Sequence, residues 1–436
     1  MKEIVMNGLL KIASKIQAQR HMSAIRNAFS LMLPLFITGA FSTLLLNVVL
    51  STTTSGMSLA KVDGFGWLAN FSPMFEAANY ATMNFMTIGI IVLIALELGK
   101  SYGHDEFILP VVALASYITL TKTIGVIDVD GTQHVLKNVL PSIFTNAQGL
   151  FLGMIASIVS SEIYIKIVKY KKFEIKMPDT VPSNVAKAFS VLVPSVITIL
   201  TISAFGMVFE MIFNIPIYQA IDLLIQTPLK GIMTGLPGYL VTVIFTQLLW
   251  SFGIHGGNVM KPITAAPFMT ALAENEAAVL AGEVPKNIIN HAFNGTFIAV
   301  TGAGVTGALL IAVFIFSKRK DERKIAGLSV APALFNINEP VIFGMPIVLN
   351  PIYMIPFILA PVASAIFAYY MTKVGFAYPM YITVPWTTPP LLRSFIATGG
   401  HIGTVITEAM SILLCTVIYT PFVLISNKQN NNQEML

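Results

Sequence analysis

The chain is 436 residues long, 55% hydrophobic and only 11% charged, with a formal net charge of +5. Soluble domains carry roughly 25% charged residues, so a soluble core of this size, a disordered chain, a coiled coil and a nucleic-acid-binding protein are all excluded. What remains is an all-α integral membrane protein: a hydrocarbon core about 30 Å thick takes about 20 apolar residues per helix, which leaves room for about ten spans.

Lys2, Lys11, Lys15, Arg20 and Arg26 precede the first apolar run. No small-residue cleavage site follows a short apolar stretch there, so the N-terminus is expected to be a cytoplasmic amphipathic segment rather than a signal peptide. Apolar runs at about 28–50, 81–99, 104–122, 141–168 and 185–213 are long enough to cross. Their alternation puts 51–80 and 123–140 outside and keeps the gap rich in Lys166, Lys169, Lys171, Lys172, Lys176 and Lys187 inside. Gly99, Ser101 and Gly103 form a GxSxG, and Gly99-Lys100-Ser101 imitates the end of a phosphate loop. Position 94 is Ile and an apolar helix precedes the motif, so a tight turn between spans is expected instead.

Residues 214–230, with Pro216, Asp222, Pro228 and Lys230, suit an interfacial amphipathic helix between two halves. The expected organisation is therefore a membrane half at 1–230, a second at 231–427 and a polar cytoplasmic tail at 428–436. Runs at about 232–254, 293–317, 351–372 and 404–427 follow. Between them lie 255–290, 329–350 and 373–403, apolar but interrupted by Pro, Gly, Asn and single charges. Broken segments of this kind read as re-entrant hairpins and point to a binding site. Lys318, Arg319, Lys320, Arg323 and Lys324 belong inside by charge, which requires one crossing within 255–290 and returns the C-terminus to the cytoplasm. Gly302, Gly304 and Gly307 spell GxGxxG inside a run long enough to span, where close helix packing is the expected role. The only cysteine is Cys415, in a late apolar run, which excludes disulfides, cysteine-ligated metal and a CxxC redox site. No cofactor is expected.

The polar exceptions carry the chemistry. Trp250-Ser251-Phe252-Gly253-Ile254-His255-Gly256-Gly257-Asn258 ends a span with an ionisable ring, an indole and paired glycines that let backbone approach a ligand. Phe335-Asn336-Ile337-Asn338-Glu339-Pro340 reads as the tip of a broken hairpin, with Glu339 facing a cavity or else capping a half-helix that opens at Pro340. Trp386 lies in the Pro-rich stretch Val384–Pro390, ahead of Arg393. Aromatic faces pack on pyranose rings while amides, acids and imidazoles take hydroxyls, so Trp250, Trp386, Asn258, Asn338, His255 and Glu339 resemble a sugar site. Each tryptophan is otherwise an interfacial belt residue. Asn290, His291 and Asn294 either add hydroxyl contacts or cap the next helix. On these residues alone, a group translocator and an ion-coupled secondary carrier both stand.

Gly253-Ile254-His255-Gly256-Gly257-Asn258 and Phe335-Asn336-Ile337-Asn338-Glu339-Pro340-Val341-Ile342-Phe343-Gly344, continuing through Pro346 to Asn350-Pro351, resemble the membrane-embedded enzyme IIC of the bacterial phosphoenolpyruvate-dependent sugar phosphotransferase system, in its lactose, cellobiose and diacetylchitobiose branch. The similarity extends over nearly the whole chain, including Gln19–Phe29. It implies a homodimer of protomers with about ten helices, the first half forming the interface and the second carrying a disaccharide such as cellobiose or diacetylchitobiose across a bacterial cell membrane. It also implies that His255 and Glu339 act beside the hydroxyl that becomes phosphorylated. The phosphoryl donor is then a phosphocysteine on a separate enzyme IIB, loaded through enzyme IIA.

Overall fold

A computed structural model describes residues 19–53, 58–103, 108–129, 132–175, 177–178, 180–345, 347–348 and 350–433. The expected N-terminal segment with Lys2, Lys11 and Lys15, together with Lys176, Pro346 and residues 434–436 of the expected tail, lies outside the described residues. Helix dominates. Among the described residues, seven helical stretches are long and apolar enough to cross a membrane: Arg20–Thr43, Gly66–Ser101, Ala147–Lys169, Val185–Phe213, His291–Phe316, Ile352–Lys373 and Ile402–Asn427. An eighth is possible if the bent pair Ile217–Thr234 and Leu236–Ser251 counts as one span. The chain is a multi-pass membrane protein.

Several expected boundaries move. The run at 104–122 contains a helix of only 12 residues, Ile108–Thr119. The segment expected to be broken after residue 255 is one continuous helix, Gly256–Leu280, of 25 residues. Pro262 and Pro267 sit inside it without ending it, and Lys261, Glu274 and Glu276 keep it from being uniformly apolar. The final helix, Ile402–Gln433, runs on through most of the expected tail. The 51–80 connection is itself helical, with Gly66–Phe71 and Ser72–Met83. The 123–140 connection holds an antiparallel pair, Ile124–Val129 with Thr132–Lys137, in register from Ile124 opposite Lys137 to Val129 opposite Thr132.

Contacts divide the chain into two compact units, one taking Ile16–Leu35 and Tyr80–Leu229, the other taking Phe36–Asn79 and Lys230–Leu436. In the first, Ile91, Ala95, Leu109, Tyr117, Leu152 and Tyr164 form the core. Lipid tails are as apolar as leucine, so helices here associate through close packing and interhelical hydrogen bonds rather than through exclusion of water. Gly153 supplies the first, since a Cβ there would meet Thr87 Cγ2 at 2.8 Å. Ser157 supplies the second, its Oγ donating to the Ile91 carbonyl at 2.8 Å.

The second unit has two apolar clusters, one around Leu309, Tyr353, Phe357 and Tyr419, the other around Tyr239, Phe268, Phe293, Phe297 and Ile396. Between them the His291–Phe316 span is broken. Residues 294–298 form a wide π-helical turn, Thr301 and Val305 have φ of 58° and 54°, and Gly302 and Gly304 have φ of 95° and 74°. The GxGxxG glycines are therefore packing residues within a break rather than within a straight helix. A Cβ at Gly302 would collide with the Asn338 side chain and one at Gly304 with the Phe357 ring. Several backbone groups freed by the break find side-chain partners, the kind of satisfaction that membrane depth requires. The Thr301 N–H donates to Asn336 Oδ1 (2.7 Å), Asn338 Nδ2 donates to the Ala303 carbonyl (2.9 Å), and the Tyr419 hydroxyl donates to the Gly304 carbonyl (2.7 Å).

Candidate functional site

Leu236–Ser251 ends in a tight reversal at Gly253, whose φ of 78° suits a residue without Cβ. Gly256 then brings the next helix so close that a Cβ would collide with the Thr246 carbonyl. This geometry makes His255 the N-cap of Gly256–Leu280, its Nδ1 accepting from the Asn258 N–H at 3.2 Å. A neutral imidazole with Nδ1 as acceptor carries its proton on Nε2. The Trp250 ring lies 4.2 Å from the His255 ring, inclined by 45°. Trp250 is only 5% exposed and belongs to the core, whereas His255 is exposed.

The helix Lys320–Leu334 stops at Phe335, and Asn336 takes the left-handed conformation with φ of 62° that reverses the chain. Glu339 then opens the short helix Glu339–Gly344, with Asn338 as its N-cap residue and Pro340 in the first turn. The half-helix of the second reading is present, with Glu339 in its first turn and Asn338 rather than Glu339 at the cap position. Glu339 is exposed, and its charge acts on His255, as does that of Lys261. The two groups lie within electrostatic reach of each other although 84 positions separate His255 from Glu339 (339 − 255).

The remaining candidates divide. Trp386 is 42% exposed in an irregular loop, held through its backbone carbonyl rather than by its ring. Asn258 is exposed beside His255. Asn294, in the π-helical turn, accepts the Tyr239 hydroxyl on Oδ1 at 2.8 Å. Asn290 is a cap: its Oδ1 accepts from the Phe293 N–H and its Nδ2 donates to the Met380 carbonyl. Asn338, expected from the sequence as a sugar ligand, is buried, and its Nδ2 is engaged with Ala303, so it fastens the Glu339 turn to the broken span.

Two cations lie near candidate residues without having been expected: the Lys261 charge acts on His255, and Arg393 lies against Gly295. Arg393 is buried, with its guanidinium lying on Gly295 beside Asn294. An arginine within an apolar, broken segment was itself the signal, since such charges rarely persist without a role.

The family model for the phosphotransferase system EIIC matches residues 26–361. The oligo-beta-mannoside-specific EIIC component of Bacillus subtilis (strain 168) is 33% identical over 436 residues, covering 100% of this chain and 96% of that protein. The cellobiose-specific EIIC component of Geobacillus stearothermophilus is 32% identical, covering 98% of this chain and 94% of its own. Among solved structures, the transporter ChbC, the IIC component from the N,N'-diacetylchitobiose-specific phosphotransferase system, superposes with a TM-score of 0.89 at 32% identity, over 98% of each chain.

Proposed function

The chain belongs to the phosphotransferase system EIIC family, and from that premise we propose that it is the membrane permease for a β-linked disaccharide of the cellobiose or diacetylchitobiose kind. In this reading it binds the sugar outside, presents it inside and releases it as the 6-phosphate. The Trp250 ring 4.2 Å from His255, with the Glu339 charge acting on that same histidine, supports the reading: the three groups together would supply an acceptor, a donor and an aromatic ring. EIIC components work with separate IIB and IIA components, and the donor here is a phosphocysteine of enzyme IIB. The sugar hydroxyl oxygen attacks phosphorus, the S–P bond breaks, and the hydroxyl proton passes to the Glu339 carboxylate. His255, through Nε2–H, orients the attacking oxygen. Phosphoryl transfer asks the protein mainly for positioning and charge management, which these groups provide.

Uptake of labelled cellobiose or diacetylchitobiose into membrane vesicles, with and without phosphorylated enzyme IIB, tests this. Accumulation only as sugar phosphate supports it; accumulation of unmodified sugar driven by an ion gradient would replace it with a secondary carrier. Trp250→Ala and Trp386→Ala are each expected to weaken sugar binding by about 1 to 3 kcal/mol, the value of a face buried against a pyranose ring. Equilibrium binding measures this, and unchanged affinity in both would remove the indoles from the sugar site.

The reading extends to a homodimer whose interface lies in residues 1–230, with transport in 231–427. It also places both termini and the 318–324 cluster in the cytoplasm, where a dense basic loop belongs. Lys318, Lys320, Arg323 and Lys324 are exposed, and the Arg319 guanidinium bonded to Asp321 holds that carboxyl below its usual range. Single cysteines at Asp63, Asp321 and Asn431, in a Cys415→Ser background, are expected to react with a membrane-impermeant thiol reagent on intact cells at Asp63 alone. Labelling at Asp321 would invert the second half.

A further inference from the structure

Trp386 poses a physical problem. Trp386 is 42% exposed, so its position depends heavily on the loop that carries it. The stretch Val384–Pro390 contains Pro385, Pro389 and Pro390, which have no N–H, and the only internal turn bond among its described residues runs from the Thr388 N–H to the Pro385 carbonyl, at 3.0 Å. The loop is held from outside instead. At one end Glu408 accepts from the Leu391 N–H at 3.0 Å. At the other, Asn336 Nδ2 donates to the carbonyls of Trp386 (2.6 Å) and Thr388 (2.9 Å). The same Asn336 side chain accepts on Oδ1 from the Thr301 N–H, and its backbone makes the left-handed turn three residues before Glu339.

We propose that Asn336 is the positioning residue that registers the Trp386 loop on Glu339, so that a sugar ring stacked on Trp386 presents its hydroxyl to the carboxylate. This rests on the reading of Trp386 and Glu339 given above. Asn336 touches neither sugar nor phosphorus; it acts by tying the aromatic platform, the acid-bearing turn and the broken span to one side chain. A left-handed position favours Asn or Gly, but only an amide supplies two donors and an acceptor there.

Asn336→Asp separates these roles. Aspartate keeps the tolerance for positive φ and the acceptor for Thr301, but replaces the two donated hydrogens with an oxygen facing two carbonyls. In the full-length protein with labelled cellobiose, Asn336→Asp is expected to weaken binding about tenfold, the scale of losing two neutral hydrogen bonds. In a Trp386→Ala background the same change is expected to cost nothing further, and in a Trp250→Ala background it is expected to cost its full tenfold, the pattern of a coupled and an independent site. A second measurement needs no sugar. With Trp67→Phe and Trp250→Phe, Trp386 is the only indole of the chain's three, and Asn336→Asp is expected to lower its fluorescence anisotropy.

Unchanged anisotropy in folded protein, or full additivity with Trp386→Ala, would overturn the proposal while leaving the sugar reading intact. If Trp386→Ala leaves affinity unchanged, the sugar reading of Trp386 fails first and this proposal falls with it. Asn336→Gly, which keeps the backbone and removes every side-chain bond, guards against misfolding. Loss of monodisperse protein in both variants would make Asn336 a folding residue and overturn the proposal as well.

Discussion

Glu339→Gln is expected to abolish sugar phosphorylation while leaving most of the sugar affinity intact. The substitution preserves the shape and length of the side chain at the head of the short helix, and Pro340 and the Asn338 cap still fix the turn. What disappears is the capacity to take a proton. A positioned general base contributes about 10² to 10⁴ in rate, and a group used mainly in the transition state lowers kcat more than affinity. The check is paired: equilibrium binding of labelled disaccharide, and single-turnover transfer from phosphorylated enzyme IIB. Normal phosphorylation by this variant would remove Glu339 from the mechanism, and loss of binding in equal measure would make it a ligand to the ground-state sugar.

Glu322→Ala is expected to cost about 3 to 5 kcal/mol of stability, the scale of removing one partner from a buried charged network. Glu322 is 3% exposed and accepts from Tyr353 OH (2.8 Å), Ser317 Oγ (2.7 Å) and Ser426 Oγ (2.6 Å), with Arg319 Nε at 3.7 Å. These partners come from the 317–319 connection, from Pro351–Lys373 and from the final helix, so a single carboxylate at the head of Lys320–Leu334 joins three further segments beside the basic cluster. Alanine leaves the hydroxyls without their acceptor, and each buried unsatisfied group costs about 1 to 3 kcal/mol. Glu322→Gln, which retains an acceptor oxygen, is expected to lose less. Thermal unfolding in detergent ranks the three proteins, and an alanine variant as stable as wild type would show that the network contributes nothing.

The class of the protein and the two chemical motifs were legible because they depend on composition and on exceptions to it. An ionisable residue beside paired glycines, and an acid followed by proline, stand out in an apolar chain wherever they fold. What depends on three-dimensional neighbours was not legible. The run at 293–317 looks continuous to any measure of apolarity, yet the backbone breaks at Thr301–Val305 because side chains 35 or more positions later can satisfy it. For the same reason the two amides of Asn336-Ile337-Asn338 could not be sorted. Asn338 reads as a sugar ligand and Asn336 only as part of the hairpin tip, and in the fold Asn336 ties loops together while Asn338 pins the broken span. The strand pair at 124–137 lies in a stretch that the apolar pattern marks only as a connection between spans.

The broken span also bears on how the protein is made. A continuous helix satisfies its own backbone as it enters the bilayer, but this one does so only in part: the Thr301 N–H and the Ala303 and Gly304 carbonyls are bonded by Asn336, Asn338 and Tyr419, all synthesised after it. While the ribosome is still translating those residues, the Thr301 N–H and the Ala303 and Gly304 carbonyls lack their final partners and must be sheltered by water, by the insertion machinery or by provisional contacts. The span therefore reaches its final form only when the last helix arrives. A chain halted before Tyr419 holds every segment of the His255 and Glu339 motifs and still lacks the hydroxyl that closes the break between them.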